Sequence, residues 1–187
     1  LLLPEVVDKF PPELFAGMNS REYYSVYPPV LQAIFSIASL FSTPGNQLTS
    51  IIVLRLFILL FEIGTYHLLK KLLSQLGVNN SRALIYWLNP LVIIELSGNL
   101  HFEATMLFFL TAAIYLLNQK RIFLAAVVFA CAINAKLLPL IFIPYIFVQL
   151  SWKQFALFTG VTAFVVVLQF FPFVNLDTIE FFGASIE

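Results

Sequence analysis

Seven ionisable side chains stand in or beside long apolar runs: Arg55, Glu62, His67, Glu95, His101, Glu103 and Lys136. A charge placed in hydrocarbon is expensive, so such groups turn to a bundle interior or a wet cavity and mark sites of function. The densest stretch is Glu95-Leu-Ser-Gly98-Asn99-Leu-His101-Phe-Glu103. An imidazole there can change charge near neutrality, and Glu103 can exchange protons or hold a cation. A plain polar turn, with Glu103 at a helix N-terminus, is the competing reading of the same residues. Arg55 carries a planar fork of donors, whereas Lys136 carries a mobile point charge. Snorkelling to the membrane surface accounts for Lys136 equally well. Glu62 reads best as a tie to a neighbouring helix. Tyr23, Tyr24 and Tyr27 precede Pro28-Pro29, where an interfacial aromatic belt would also place them. A single Cys131, with one histidine near the acidic turn, argues against a transition-metal site. No phosphate-cradling Gly-rich loop and no nucleophile elbow is present.

The elements that must position these groups follow from composition. The chain has 187 residues, of which 60% are hydrophobic and 11% charged. Mean hydropathy is +0.93. A soluble domain is about 45–50% apolar and about 25% charged, and this excess cannot be buried in so small a globule. Ten basic residues balance ten acidic ones, so no field draws polyanions and no nucleic-acid partner is expected. The predicted fold is all-α, a polytopic membrane bundle whose partner is lipid.

Residues 1–27 read as an outer loop, with six charges and Pro11-Pro12. Residues 28–47 read as a short interfacial or half-inserted helix and a turn at Pro44-Gly45. A bundle over 48–171 follows, with six spans predicted at 49–69, 83–99 (interrupted at Pro90), 104–118, 122–135, 137–150 and 154–171. Residues 172–187 read as an outer loop left incomplete. Lys70, Lys71, Arg82, Lys120, Arg121 and Lys153 all fall in alternate linkers that hold no acid. The positive-inside rule makes those linkers cytoplasmic. Both ends, Arg55 and the Glu95–Glu103 turn then lie toward the outer side. The start at Leu1 reads as an internal piece of a longer protein.

Tyr24-Ser-Val-Tyr27-Pro28-Pro29-Val-Leu-Gln32-Ala-Ile-Phe35 resembles the Tyr-Pro-Pro segment closing the first outer loop of GT-C glycosyltransferases. Asn89-Pro90…Glu95…Gly98-Asn99-Leu-His101-Phe-Glu103 resembles a block of the bacterial mannosyltransferase-like members, and Lys136-Leu-Leu-Pro139 is similar to theirs too. The resemblance implies a multi-pass hexosyltransferase of the bacterial inner membrane. It would move a sugar, mannose among the options, from a polyprenyl-phosphate donor to a glycan or lipid acceptor on the outer face. It implies donor-phosphate binding by Arg55 and Lys136, and substrate binding by Tyr24, Tyr27, Gln32, Glu95, Asn99, His101 and Glu103. The family's acidic catalytic motif follows its first span. It is expected upstream of Leu1, which would leave this piece inactive alone. The cofactor stays open, a divalent cation being one option. A transporter or flippase of a lipid-linked saccharide is the alternative, although transporters tend to carry internal repeats, and none is found here. A non-catalytic scaffold would not cluster its ionisable groups on one side.

Overall fold

The computed structural model describes residues 27–42 and 48–173, and every regular element among them is helical. The expectations for Tyr24, for most of the 1–27 loop and for nearly all of the 172–187 segment lie outside the described residues. Helix α1 (Pro29–Ser39) opens on Pro28 as cap and Pro29 in the first turn. Proline is tolerated there because its missing N–H would have no helical partner. Helix α2 (Leu48–Gln75) has 28 residues. At 1.5 Å per residue it is about 42 Å long, more than a hydrocarbon core of about 30 Å requires. Its flanks Leu56, Leu60 and Ile63 stay exposed, as lipid-facing side chains do.

The predicted 83–99 span is broken more than once. Helix α3 (Ala83–Trp87) ends just before Asn89, whose side chain accepts the Leu91 N–H at 3.0 Å and caps α4 (Pro90–Val92). The chain then widens into a π-helical turn at Ile93–Gly98. Helix α5 (Glu103–Asn118) follows at a bend of 116°. Beyond it lie α6 (Ile122–Ile133), a 3-10 segment (Leu138–Phe142), α7 (Ile143–Gln149) and α8 (Trp152–Phe170).

By length and composition, two helices can cross a membrane alone: α2, and α8 with its 3-10 extension to Phe173. A third crossing is reached if the bent pair Pro90–Gly98 and Glu103–Asn118 counts as one. Six full spans are therefore not reached by these criteria. Helix α6 has 12 residues, and the stretch after Lys136 is split by its 3-10 turn. Each covers about 18 Å as a helix, short of the core thickness.

The core lies between α5, α6 and α8. Ala113, Ala125, Ala126 and Ala132 are fully buried around Phe129 and Phe158, whose ring centroids are 5.4 Å apart. Small residues let the backbones approach, which is how helices gain packing where lipid removes the hydrophobic drive. At Gly64 of α2 a Cβ would lie 2.5 Å from the Phe108 ring, so only glycine permits this approach of α2 to α5. Ser151 and Gln154 cap α8 reciprocally.

Candidate functional site

The acidic turn sits at the end of the bundle opposite Lys120. Its backbone is unusual. The Asn99 N–H donates to the Ile94 carbonyl at 2.9 Å, which closes the π-helical turn. Leu100 then takes a φ of 57°, the left-handed region that side chains other than glycine seldom occupy. The His101 N–H reaches back to the carbonyls of Glu95 (3.3 Å) and Leu96 (3.2 Å). π-Bulges and left-handed residues concentrate at functional sites, because they hold side chains that a regular helix would turn away.

That backbone strings the polar side chains together. The Asn99 amide donates to Glu95 Oε2 at 3.3 Å. His101 Nε2 lies 3.8 Å from the same oxygen, and His101 Nδ1 lies 3.6 Å from Glu103 Oε2. The other oxygen of Glu103 accepts from Lys136 Nζ across the bundle. His101 and Lys136 remain about half exposed, at 51% and 52% of their side chains. An ion pair that open to water contributes about 0–1 kcal/mol, so a competing anion can replace it.

A cavity of about 570 Å³ opens over this chain of groups. Asn99, His101, Glu103 and Lys136 supply its polar wall, and Tyr27, Pro28, Leu31, Leu100, Phe102 and Leu137 its apolar one. Tyr27 meets Phe35 edge-on at 5.1 Å, and Phe35 meets Phe102 edge-on at 5.0 Å. This aromatic ladder ties α1 to the turn. Gln32 sits at the same corner, its amide donating to the Tyr27 carbonyl at 3.3 Å. The arrangement can bind an anion at Lys136 and a polar ring against an apolar wall. Among the described residues, no group of three His, Cys, Asp or Glu side chains is placed to hold a metal ion.

The predicted residues thus divide. Tyr27, Asn99, His101, Glu103 and Lys136 line one cavity. Glu95 touches it through Asn99 and His101, and Gln32 braces its edge. Arg55 does not line it. Its Nη2 donates to the Gly98 carbonyl at 3.4 Å, which places it beside the turn, next to the cavity-lining Asn99 in sequence. Glu62 is buried and accepts from the Tyr86 hydroxyl at 2.8 Å, an interhelical tie between α2 and α3.

One residue that positions the site was not singled out from the sequence. Asn134 is buried, and its amide donates to Gln169 Oε1 at 2.8 Å and to the Val166 carbonyl at 3.1 Å. Its own carbonyl accepts the Val30 N–H at 3.1 Å. It therefore joins α1, the end of α6 and α8, two residues before Lys136. The available signal was an amide side chain inside an otherwise apolar run.

Residues 21–152 match the N-terminal domain of the alpha-(1->6)-mannopyranosyltransferase family, MptA/B type. No curated protein and no solved structure matches the chain. The matched segment contains the Tyr27 corner, the acidic turn and Lys136. The chain belongs to this family of GT-C type, polyprenyl-phosphate-mannose-dependent mannosyltransferases, and is an integral membrane protein.

Proposed function

Proceeding from that membership, we propose that the cavity over His101, Glu103 and Lys136 holds the sugar-phosphate head of a polyprenyl-phosphate-mannose donor. The chain would serve transfer of the mannosyl group to an acceptor hydroxyl, on a glycan or lipid, at the outer face of a bacterial inner membrane. The observation that carries this reading is the meeting of three separate stretches, Tyr27, the Asn99–Glu103 turn and Lys136, on one cavity of about 570 Å³.

Transfer breaks the bond between the sugar's anomeric carbon and the phosphate oxygen, and forms a bond from that carbon to the acceptor oxygen. The acceptor loses its proton to a base, and the phosphate leaves with an added negative charge. Lys136 would meet that charge after exchanging Glu103 for phosphate. Asn99, His101 and Glu103 would hydrogen-bond the sugar or acceptor hydroxyls, and Tyr27 would cover an apolar ring face. Arg55 would grip the phosphate from the other side of the turn, giving up its single bond to Gly98. Tyr24 belongs to the same proposed set by its place before Tyr27, and Glu95 and Gln32 would hold the cavity's rim. A divalent cation is not required by this scheme.

The six-crossing topology belongs to this proposal as well. Glu103 and Lys136 meet at one end of α5, whereas Asn118, Lys120, Gln149 and Leu150 line a small cleft at the other. Helix α6 and the 138–149 stretch therefore run the height of α5 despite their shortness. With outer loops at 1–27 and 172–187, and residues 28–47 at the interface, the basic linkers face the cytoplasm. Family membership weighs against a transporter or flippase.

The test is donor affinity in detergent or nanodiscs. Lys136→Ala should weaken polyprenyl-phosphate-mannose binding by about 10–100-fold, the worth of one charge-assisted hydrogen bond, and Lys136→Arg should restore most of it. Unchanged affinity in Lys136→Ala would place the phosphate elsewhere.

A further inference from the structure

A second opening lies between α2 and the broken segment that runs from α3 to the π-helical turn. It is a groove of about 320 Å³. Leu59 and Ile63 of α2 form one wall, and Val92 and Ile93 the other. Leu59, Ile63 and Ile93 are exposed, as walls open to lipid are. Glu62 also lines the groove, but it is buried and held by the Tyr86 hydroxyl, so the surface offered is mostly hydrocarbon. Two ties mark the ends. Trp87 lines one end and stacks on Tyr66, with ring centroids 4.5 Å apart. Ser97 lines the other end, next to Gly98, whose carbonyl accepts from Arg55 Nη2. Arg55 and Tyr66 stand about 16 Å apart along α2 by helical rise. Arg55, Leu59, Glu62 and Ile63 fall at i, i+4, i+7 and i+8, one face of a helix. The break at Asn89-Pro90 and the wider π-helical turn keep the 83–98 segment from lying along α2 as one straight helix.

The groove and the donor-head cavity meet at three consecutive residues. Ser97 lines the groove, Gly98 holds Arg55, and Asn99 lines the cavity. Two residues of chain span at most about 7 Å, so one phosphodiester can join a sugar on one side to a hydrocarbon chain on the other. We infer that the groove holds the first isoprene units of the donor's polyprenyl chain, with the phosphate at Arg55 over the Ser97–Asn99 turn. The guanidinium fork suits two phosphate oxygens there. Any membrane acyl chain can enter an apolar groove. The donor's own chain prevails because its head is already seated beside it, which makes entry intramolecular. The inference rests on the donor-head reading, and it puts Arg55 at the junction of head and tail.

The experiment is photo-crosslinking in nanodiscs with a polyprenyl-phosphate-mannose analogue that carries a diazirine on its first isoprene unit. The expected labels fall on 59–63 and 92–97, competed by unmodified donor and not by excess phospholipid. Leu59→Trp and Ile93→Trp fill the groove from exposed positions and so spare the fold. Each should reduce the chain label and weaken donor binding about tenfold, what displacing one isoprene unit forfeits at the per-atom efficiency of large ligands. Leu60→Trp, exposed on α2 but outside the groove, should change neither. A chain label confined to other segments, or one that phospholipid competes equally well, overturns the inference. So does donor affinity indifferent to both groove tryptophans. An analogue with the diazirine on the sugar separates the two readings. Sugar labels at 99–103 and 135–137, with chain labels elsewhere, overturn the inference and leave the donor-head reading standing. Sugar labels confined elsewhere remove both. Should one groove variant fail to insert, the other decides.

Discussion

Arg55 separates a ligand-binding role from a structural one. A buried arginine paired with a carboxylate would strand its partner when replaced, at about 3–5 kcal/mol. Arg55 is exposed, and its bond is a single long one to the Gly98 carbonyl. Glu62, the carboxylate on the same helix, is satisfied by Tyr86. Arg55→Lys should therefore leave thermal stability within about 0.5 kcal/mol of wild type. It should weaken donor binding, because lysine lacks the two-pronged fork. Equal losses of stability and binding would return Arg55 to the fold. Glu62 makes the complementary case. Tyr86→Phe leaves a buried carboxylate without its donor and should cost about 1–3 kcal/mol, read by thermal melting in detergent. Glu62→Gln keeps an acceptor for the Tyr86 hydroxyl and should be milder. The clustering of Glu95, His101, Glu103 and Lys136 was legible in the sequence, since apolar surroundings expose each charge. Their order of contact was not. That order follows from a left-handed Leu100 and a π-helical turn, neither of which has a residue-type signature here.

The helices show the same division. Helix α2, α5 and α8 were visible as long apolar runs, and Pro29, Asn89 and Ser151 mark starts that their chemistry dictates. The breaks in 83–98 and the 3-10 turn after Lys136 were only partly visible, through Pro90 and Pro139. Proline predicts an interruption, but tertiary packing decides how far the chain departs from α-helix. Close approaches were hidden altogether, because a glycine in an apolar run looks alike whether it faces lipid or a neighbour. Gly160 has nothing within 4 Å of a Cβ, whereas at Gly64 a Cβ would strike Phe108, itself wedged between Phe61 and Phe109. Gly64→Ala should accordingly destabilise the protein by about 1–3 kcal/mol. Gly160→Ala should be neutral or slightly stabilising, by up to about 1 kcal/mol. Similar melting temperatures for the two variants would contradict the packing of α2 on α5.

At the scale of the molecule, the chain is a small bundle whose polar site lies at one end and whose basic linkers lie at the other. The six basic residues in acid-free linkers predict the side on which each end sits. Leu137→Cys, exposed at the cavity mouth, should react with an impermeant thiol reagent in intact cells, and Asn118→Cys should not. The reverse pattern would invert the topology and put the cavity on the wrong face for an outer-leaflet acceptor. The central claim is that the donor's charged head lies over His101, Glu103 and Lys136. Photo-crosslinking with a polyprenyl-phosphate-mannose analogue that carries its reactive group on the sugar tests this most directly. The account predicts labelled peptides from 99–103 and 135–137, with labelling competed by unmodified donor and lost in Lys136→Ala. Competable labelling confined to other parts of the chain would contradict it.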